Sequence, residues 1–414
     1  MRNISDIVKE VPSLPEEADL SGKYVFESYD LKLETPLFGG GSEAGKFDPE
    51  RPVRVSSVRG NLRFWWRLLF GKRWRGDDLR KAEAAVWGNT ETASDVMVSV
   101  ECPQWNQVRQ KEEKDKYGFR DKFGPECYAL FSADDEIARE GLPFTLRVRT
   151  SREHLEEVRA SVAAWVYFGG LGSRTRRGLG SLSCQSSLPS LDDVLHIAEE
   201  NGCELTVLCK KENSASMLSA WHNALVLYQD YRIKPPHARF EGKPRPGRSK
   251  WPEADSLRQM VSKGVLHGRI SRGEHDHSVP NVDKELIPSF PRVALGFPIV
   301  VQFAKGEVTF SGKSVTLSAS LDGKKKERMA SPVITKGLSC NGEVWSAVII
   351  LPHADALELL PCVGDQTLPG TLKTQDDKYQ SVTPMAGCNN AIDGFAAYVK
   401  TKQYAPYQYK KVGS

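Results

Sequence analysis

Residues 169–181 read GGLGSRTRRGLGS, a loop of five glycines and three arginines without an acidic residue. Glycine lets a backbone approach a ligand closely and expose its amides, and the guanidiniums add positive charge. The loop runs from a helical pattern into a strand, whereas Walker and dinucleotide-binding loops run from a strand into a helix. This glycine loop therefore suits a sugar-phosphate backbone, and the alternative is a merely flexible connection.

Three segments before the glycine loop have the two-residue period of half-buried strands, and a short strand is predicted near Leu182 after the loop. In residues 29–33, 96–100 and 144–148, β-branched, aromatic or leucine side chains occupy every second position. Residues 103–142 contain a dense mixture of both charge signs. We expect this insertion to be a loop or a helical excursion rather than sheet.

Two longer segments carry apolar residues at helical spacing. One covers residues 58–69, with Ser57 as its predicted cap, and the other covers residues 155–166 and ends at Gly169. A shorter helix is predicted over residues 77–87. The resulting order of strand, helix, strand, strand, helix, strand is that of the ferredoxin-like fold, which is also the fold of RNA-recognition motifs.

A chain of 414 residues is long enough for two domains. We predict an α+β protein with two ferredoxin-like (RRM-like, βαββαβ) domains, residues 1–200 with the insertion at about 103–142, and residues 201–414 as an expanded repeat of the same fold. The elements predicted in the second half are strands at residues 205–209, 299–303 and 344–350 and a helix at residues 218–228.

The composition excludes several classes of protein. With 40% hydrophobic and 27% charged residues, the chain is an ordinary globular protein. Its eight cysteines form no Cys-x-x-Cys pair, which argues against a zinc site or a redox motif. We recognise neither a signal peptide nor an apolar run of ~20 residues, so we expect a cytoplasmic protein without a membrane partner.

Positive charge is concentrated in one segment, although the net charge is only +4. Residues 51–80 contain nine Lys or Arg and only two acidic residues. On a helical projection Arg59, Arg63 and Arg67 form a basic stripe beside the apolar face, with Trp66 on the border. The stripe can hold phosphates while Trp66 stacks on a base; the alternative is a solvated face with Trp66 in the core.

Other candidate sites are weaker. His275 and His277 in the run EHDH could bind a metal, but such a run on a loop is more often a solvated turn. Arg248 and Lys250 form a possible second basic patch. No nucleophile with its base and no carboxylate pair is evident in the sequence, although such groups meet in space rather than along the chain.

Several motifs together resemble a known family. LETPLFGGG (33–41), VSSVRGNLRFWWRLLFG (55–71) and the glycine loop resemble the RAMP superfamily of CRISPR proteins. Together with GRSKWPEADSLR (247–258), ALGFPIVVQF (294–303) and RMASPVITK (328–336), they are similar to subunit one of type III-B effectors, the Cmr complexes.

The resemblance implies a non-catalytic subunit that caps the assembly near the 3′ part of the guide RNA. Its partners would be the guide RNA, the target RNA and other Cmr subunits, and it would need no cofactor, metal or catalytic residue. The predicted RNA-binding residues, which we expect to face one groove, are Arg54, Arg59, Arg63, Trp66, Arg67, Ser173, Arg174, Arg176, Arg177, Arg248 and Lys250.

Two other functions stay open. Some RAMP proteins are metal-independent endoribonucleases that process guide precursors, and here His154, His222, His267 or His353 would act as acid or base. A purely structural cap, whose basic face meets acidic neighbours rather than RNA, is the third possibility.

Overall fold

A computed structural model describes much of the chain, and the following statements concern the residues that it describes. These are residues 22–41, 45–109, 128–130, 137–213, 216–232, 251–266, 269–270, 288–303, 308–309, 314–321, 324–340, 342–353, 359–363, 366–368, 385 and 387–408. The helices are α1 (Val55–Phe70), α2 (Asp77–Trp87), α3 (Leu155–Phe168), α4 (Leu191–Glu200), α5 (Met217–Arg232), α6 (Glu253–Ser262) and α7 (Ala391–Thr401).

Among the described residues, the strands form five sheets. They are β1 (Tyr24–Leu33), β2 (Leu37–Phe38), β3 (Met97–Glu101), β4 (Val108–Arg109), β5 (Ile137–Ala138), β6 (Pro143–Ser151), β7 (Leu182–Cys184), β8 (Thr206–Lys211), β9 (Arg269–Ile270), β10 (Ile299–Gln302), β11 (Val308–Thr309), β12 (Ser314–Leu321), β13 (Lys324–Lys326), β14 (Val333–Cys340), β15 (Glu343–Ile350), β16 (Leu359–Val363), β17 (Gln366–Thr367) and β18 (Ala405–Pro406).

The first sheet is antiparallel, with the order β3-β6-β1-β7. Leu31 pairs with Phe144 and Tyr29 with Leu146, so that apolar side chains from both strands meet on one face. This face is buried against α1 and α3, while Phe26 on the opposite face is exposed. The predicted strands and the two long helices of this half are therefore confirmed.

The second four-stranded sheet repeats the arrangement of the first. Its order is β14-β15-β8-β18, and the chain order is β8, α5, β14, β15, α7, β18. If the four strands of each sheet are numbered along the chain, their spatial order in both sheets is 2-3-1-4. The α+β prediction is confirmed, because antiparallel sheets are combined with helices in both halves.

Helix α3 lies between the two sheets, which explains why its run SVAAWV is apolar on nearly every side. Ile334 and Leu338 of β14 belong to the same core cluster as Leu62 and Trp65 of α1. The other face of the second sheet packs against α5 and α7 in a separate cluster that includes Phe395. The two halves of the chain therefore share one core.

A buried lysine connects β14 to the end of α3. Lys336 is 0% exposed, and its Nζ donates to the carbonyl oxygens of Val166 (3.1 Å) and Gly169 (3.0 Å). These carbonyls belong to the last turn of α3 and to the first glycine of the glycine loop, where helical hydrogen bonds run out. Burial lowers the pKa of Lys336 to about 7.

Two local predictions are wrong. Helix α1 begins at Val55 rather than after Ser57, and its N-cap residue, Arg54, makes no side-chain capping hydrogen bond. The insertion at residues 103–142 was predicted to contain no sheet, but its residues 108–109 and 137–138 are strands β4 and β5, which join β2 in a three-stranded sheet. Residues 103–107 have no regular structure, and residues 128–129 are helical, as that prediction allows. A two-residue strand is too short to show the alternation on which a sequence-based assignment depends.

The second half also contains a five-stranded sheet, whose strands precede β14 and follow β15 along the chain. Strands β10, β12, β16 and β17 form it, with β13 paired to β12, and they surround a core cluster of their own with Leu257 and Phe290. None of the helices in the described parts of the chain has the length and apolar character needed to cross a bilayer.

Candidate nucleic-acid interface

The glycine loop is tightly folded rather than flexible. Its arginines lie around a 3₁₀ turn, Thr175–Arg177, that Arg174 enters with a φ of 63°. Gly180 also has a positive φ, and a Cβ there would lie 1.9 Å from the carbonyl oxygen of Leu171. Only glycine fits such a close approach of two backbone segments. The predicted need for glycine in this loop therefore has a steric cause, at least at Gly180.

Arg177 turns away from solvent toward α5. Its guanidinium lies 4.1 Å from the ring centroid of Tyr228, and its Nη2 donates to the Tyr228 hydroxyl at 3.3 Å. Arg232 Nη1 donates to the same hydroxyl at 3.1 Å. Burial disfavours the tyrosinate, but the charges of Arg177 and Arg232 outweigh burial and lower the pKa of Tyr228 to about 8.

Arg174 also contacts protein. Its Nη1 donates to the Ala129 carbonyl at 2.8 Å, and its guanidinium lies 5.1 Å from the ring centroid of Phe38. The neighbouring Ser173 has an exposed side chain, while its backbone N–H donates to the Phe38 carbonyl at 2.7 Å. Two of the three loop arginines thus help to hold the loop in place.

Arg176 has a different environment. Its guanidinium lies 5.2 Å from the ring centroid of Phe64 in α1, and its Nη1 is buried without a hydrogen-bond partner. No carboxylate among the described residues forms an ion pair with it. Burial and the nearby charge of Arg177 lower the pKa of Arg176 to about 10. A guanidinium in this position is an incompletely satisfied cation that an anion would stabilise.

The basic stripe of α1 is largely engaged by α2. Arg63 lies 2.6 Å from Glu83 Oε1 and Arg67 lies 3.6 Å from Glu83 Oε2. Arg59 donates to the Trp87 carbonyl. One buried carboxylate against three guanidiniums leaves a net positive surface, and the Arg67 side chain is still 52% exposed.

Trp66 is not available to stack on a base. It is 0% exposed, its indole Nε1 donates to Glu157 at 2.7 Å, and its ring stacks on Trp74 with centroids 5.5 Å apart. The alternative that placed this tryptophan in the core is the one that the structure supports. In the helical projection Trp66 lies on the border of the apolar face. Such a position does not distinguish a buried side chain from one that is free to stack on a base.

The basic stripe of α1 and Arg176 have different neighbours around this helix. The basic stripe faces Glu83 and Trp87, whereas Arg176 contacts Phe64, which lies ~100° around α1 from Arg63. Arg54, the N-cap residue of α1, has a buried Nε without a hydrogen-bond partner.

Some predicted sites lie outside the described residues. These are Arg248, Lys250, His267 and the EHDH run at residues 274–277. Within the described part of the chain, no group of three or more His, Cys, Asp or Glu side chains is placed to hold a metal ion.

A cavity that no sequence motif predicts lies between the glycine loop and the second half of the chain. It has a volume of about 190 Å³ and is lined by residues that include Phe64, Arg176 and His353. Phe64 lies in the RGNLRFWWR motif, and His353 was named only as one of four histidines. The three residues are far apart in the sequence, so no local pattern could bring them together.

Comparison with known proteins finds a family model that matches part of this chain. Residues 30–183 match the family model of the RAMP superfamily, and this range runs from β1 through the glycine loop to β7. Over this range, which is less than half of the chain, the protein is similar to the RAMP superfamily.

Two curated relatives are both named as subunits of CRISPR systems. The CRISPR system Cmr subunit Cmr1-1 of Pyrococcus furiosus is 29% identical over 159 residues, which are 37% of this chain and 46% of that protein. The match thus spans about half the length of this relative. Cmr1-2 of the same organism is 27% identical over 182 residues, covering 38% of this chain and 94% of that protein.

Solved structures with a similar arrangement include Cmr1 from Pyrococcus furiosus in its apo form. That structure has a TM-score of 0.47 and 15% identity, over 91% of this chain and 97% of that chain. A chain of the type III-B Cmr-beta complex bound to cognate target RNA has a TM-score of 0.44 and 14% identity, over 91% of this chain and all of that chain.

Proposed function

We propose that this chain is a non-catalytic, RNA-binding subunit of a type III-B CRISPR (Cmr) ribonucleoprotein. In this role it caps the assembly near the 3′ part of the guide RNA and helps to hold target RNA, alongside other Cmr subunits in the cytoplasm. The RAMP-family match and the names of the curated relatives support the assignment. We further propose that both halves, residues 1–200 and 201–414, are ferredoxin-like domains, since both sheets have the strand order of that fold.

The observation that carries the RNA-binding proposal is the environment of Arg176. This guanidinium is held over Phe64 beside Arg177, without an acidic partner among the described residues. Arg67 and Arg63 extend positive charge along α1, with only Glu83 to offset them. Such a surface binds a phosphate backbone mainly through charge and only weakly through sequence.

Filter binding of unrelated single-stranded RNAs across a salt series tests the proposal. We expect Arg176→Gln to weaken binding to a similar degree for each RNA and to lower the salt slope by ~0.7 for each lost phosphate contact. Arg80→Gln is the matched control, because the Arg80 side chain is 84% exposed on α2 and pairs with Asp77. Equal binding by both variants and the native protein at every salt concentration would contradict the proposal.

The endoribonuclease alternative has one observation in its favour. Of the four candidate histidines, His353 lines the same cavity as Arg176, so an imidazole and a guanidinium could both reach one phosphodiester. Incubation of the isolated protein with labelled repeat RNA, with and without a divalent metal, separates the two functions. Site-specific cleavage that is lost in His353→Ala would favour the enzyme, and intact RNA would favour the binding subunit.

A further inference from the structure

The cavity beside the glycine loop is mainly apolar. Phe64 and Leu68 contribute from α1, and Pro332, Leu351 and Pro352 contribute from the second half of the chain. A hydrophobic cavity with a few polar groups at defined positions is typical of a ligand site. Here the charged group is Arg176, and His353 adds an imidazole ring.

Contacts with protein hold Arg176 while leaving its charge unneutralised. The ring of Phe64 lies 5.2 Å from the guanidinium, and Nη1 has no hydrogen-bond partner. Arg177, next to it, also has a buried Nη1 without a hydrogen-bond partner, but its Nη2 donates to the Tyr228 hydroxyl and its side chain does not line the cavity. Arg176 is therefore the arginine of the glycine loop that an anion in the cavity would meet. A guanidinium that is already ordered loses little entropy when it binds a phosphate.

His353 has a defined hydrogen-bonding role. Its Nδ1 lies 2.9 Å from the carbonyl oxygen of Leu351. Because a carbonyl only accepts, Nδ1 carries the proton of the neutral ring and Nε2 is an acceptor. The residue is exposed, so a donor such as a ribose hydroxyl or a base amino group can reach it from solvent.

Size limits what the cavity can hold. Its volume of about 190 Å³ is below the ~300–1,000 Å³ typical of sites for drug-sized ligands. A single planar base fits this limit, whereas two stacked nucleotides exceed it. Apolar walls favour the faces of a base, and Arg176 favours the phosphate attached to it.

We propose that this cavity receives one unpaired nucleotide of the bound RNA, with the base between the apolar walls and its phosphate on Arg176. The inference rests on the proposed RNA-binding function and adds a single position at which the base itself is held. At that position a base matters, whereas elsewhere the RNA is held through its backbone.

An abasic-site scan tests the cavity without removing any charge. A series of single-stranded RNAs, each lacking one base, is titrated against the full chain, the Ala330→Trp variant and the Ala330→Ser control. Ala330 lines the cavity and is exposed, so that a bulky side chain can fill the cavity without disturbing the core. In the native protein and Ala330→Ser, we expect an abasic site at one position to weaken binding about tenfold, the scale of one stacked base.

The Ala330→Trp variant should lose this position-specific effect and keep the native salt slope, because its phosphate contacts are unchanged. A flat abasic profile in a native protein that still binds RNA in a salt-dependent way would overturn the cavity proposal and leave the proposed function standing. A native protein that does not bind RNA would overturn both. A last titration uses free nucleoside monophosphates as ligands. If one of them binds more tightly than the RNA, the cavity is a site for a soluble nucleotide rather than for RNA.

Discussion

Lys336 shows at the scale of one residue how the two halves are joined. Its Nζ satisfies two carbonyls at the end of α3, at the entrance to the glycine loop. A neutral amine has two N–H donors, so both hydrogen bonds survive deprotonation. The side chain is therefore a buried donor whose charge, rather than its hydrogen bonding, is unfavourable in the core.

The depressed pKa of Lys336 predicts how stability depends on pH. Between about pH 7 and 10.5 the unfolded chain keeps a proton that the folded chain has released, so the free energy of unfolding rises with pH in this window. The expected slope is at most ~1.4 kcal/mol per pH unit. Lys336→Met should remove this contribution, as measured by denaturant unfolding over the window.

Lys324→Met is the control for this measurement. Lys324 is exposed in β13, so its substitution should leave the pH slope of the native protein unchanged. Other groups titrate in the same window, but they are common to all three proteins and cancel in the comparison. If Lys336→Met follows the native slope, Lys336 is charged in the folded protein and the prediction is wrong.

At the scale of elements, α1 and α2 form a pair whose charges oppose one another. The carboxylate of Glu83 in α2 is buried and holds Arg63 and Arg67 of α1. If RNA contacts the basic stripe, this carboxylate competes with phosphate for the same guanidiniums. The strength of RNA binding by α1 is then set by α2.

Glu83→Gln should therefore strengthen RNA binding at low salt and steepen the salt dependence by up to ~0.7 for each phosphate gained. The glutamine keeps an oxygen for Arg63 while the negative charge is lost. Asp77→Asn is the matched control, because it removes one charge from the same helix at a side chain that is 82% exposed and pairs with Arg80. Equal gains in both variants would assign the effect to net charge, and no gain would remove α1 from the interface.

The elements also show what the sequence could and could not predict. Helix α2 has the predicted bounds, and α3 ends at Gly169 as its pattern indicates, because both patterns depend on neighbours along the chain. Strand β14 was missed because Lys336 and Gly337 interrupt its apolar run, VITKGLSC. The lysine is tolerated there only because another element supplies carbonyl acceptors, and that is a tertiary contact.

The candidate site also has features that the sequence predicts and features that it does not. The glycine loop could be predicted, since its glycines have local steric causes, and the positive charge of α1 was visible as composition. Which arginine is left for an anion was not predictable. It depends on Glu83, Tyr228 and Ala129, each of which reaches its arginine from a different element.

At the scale of the whole molecule, the shared core predicts that the two halves unfold together. Leu338 of β14 is 1% exposed in the cluster that also contains Leu62 and Trp65, so truncating it should cost ~2–5 kcal/mol of stability. We expect Leu338→Ala to lower hydrogen-exchange protection equally in β1 and β15, because both strands line that cluster.

Leu317→Ala is the contrast, because Leu317 of β12 is equally buried but belongs to the separate cluster of the five-stranded sheet. It should reduce exchange protection in β12 and leave β1 as in the native protein. Unchanged protection in β1 of Leu338→Ala would mean that the halves unfold independently. The cavity between α1 and the second half would then open and close with their relative motion, since its walls come from both.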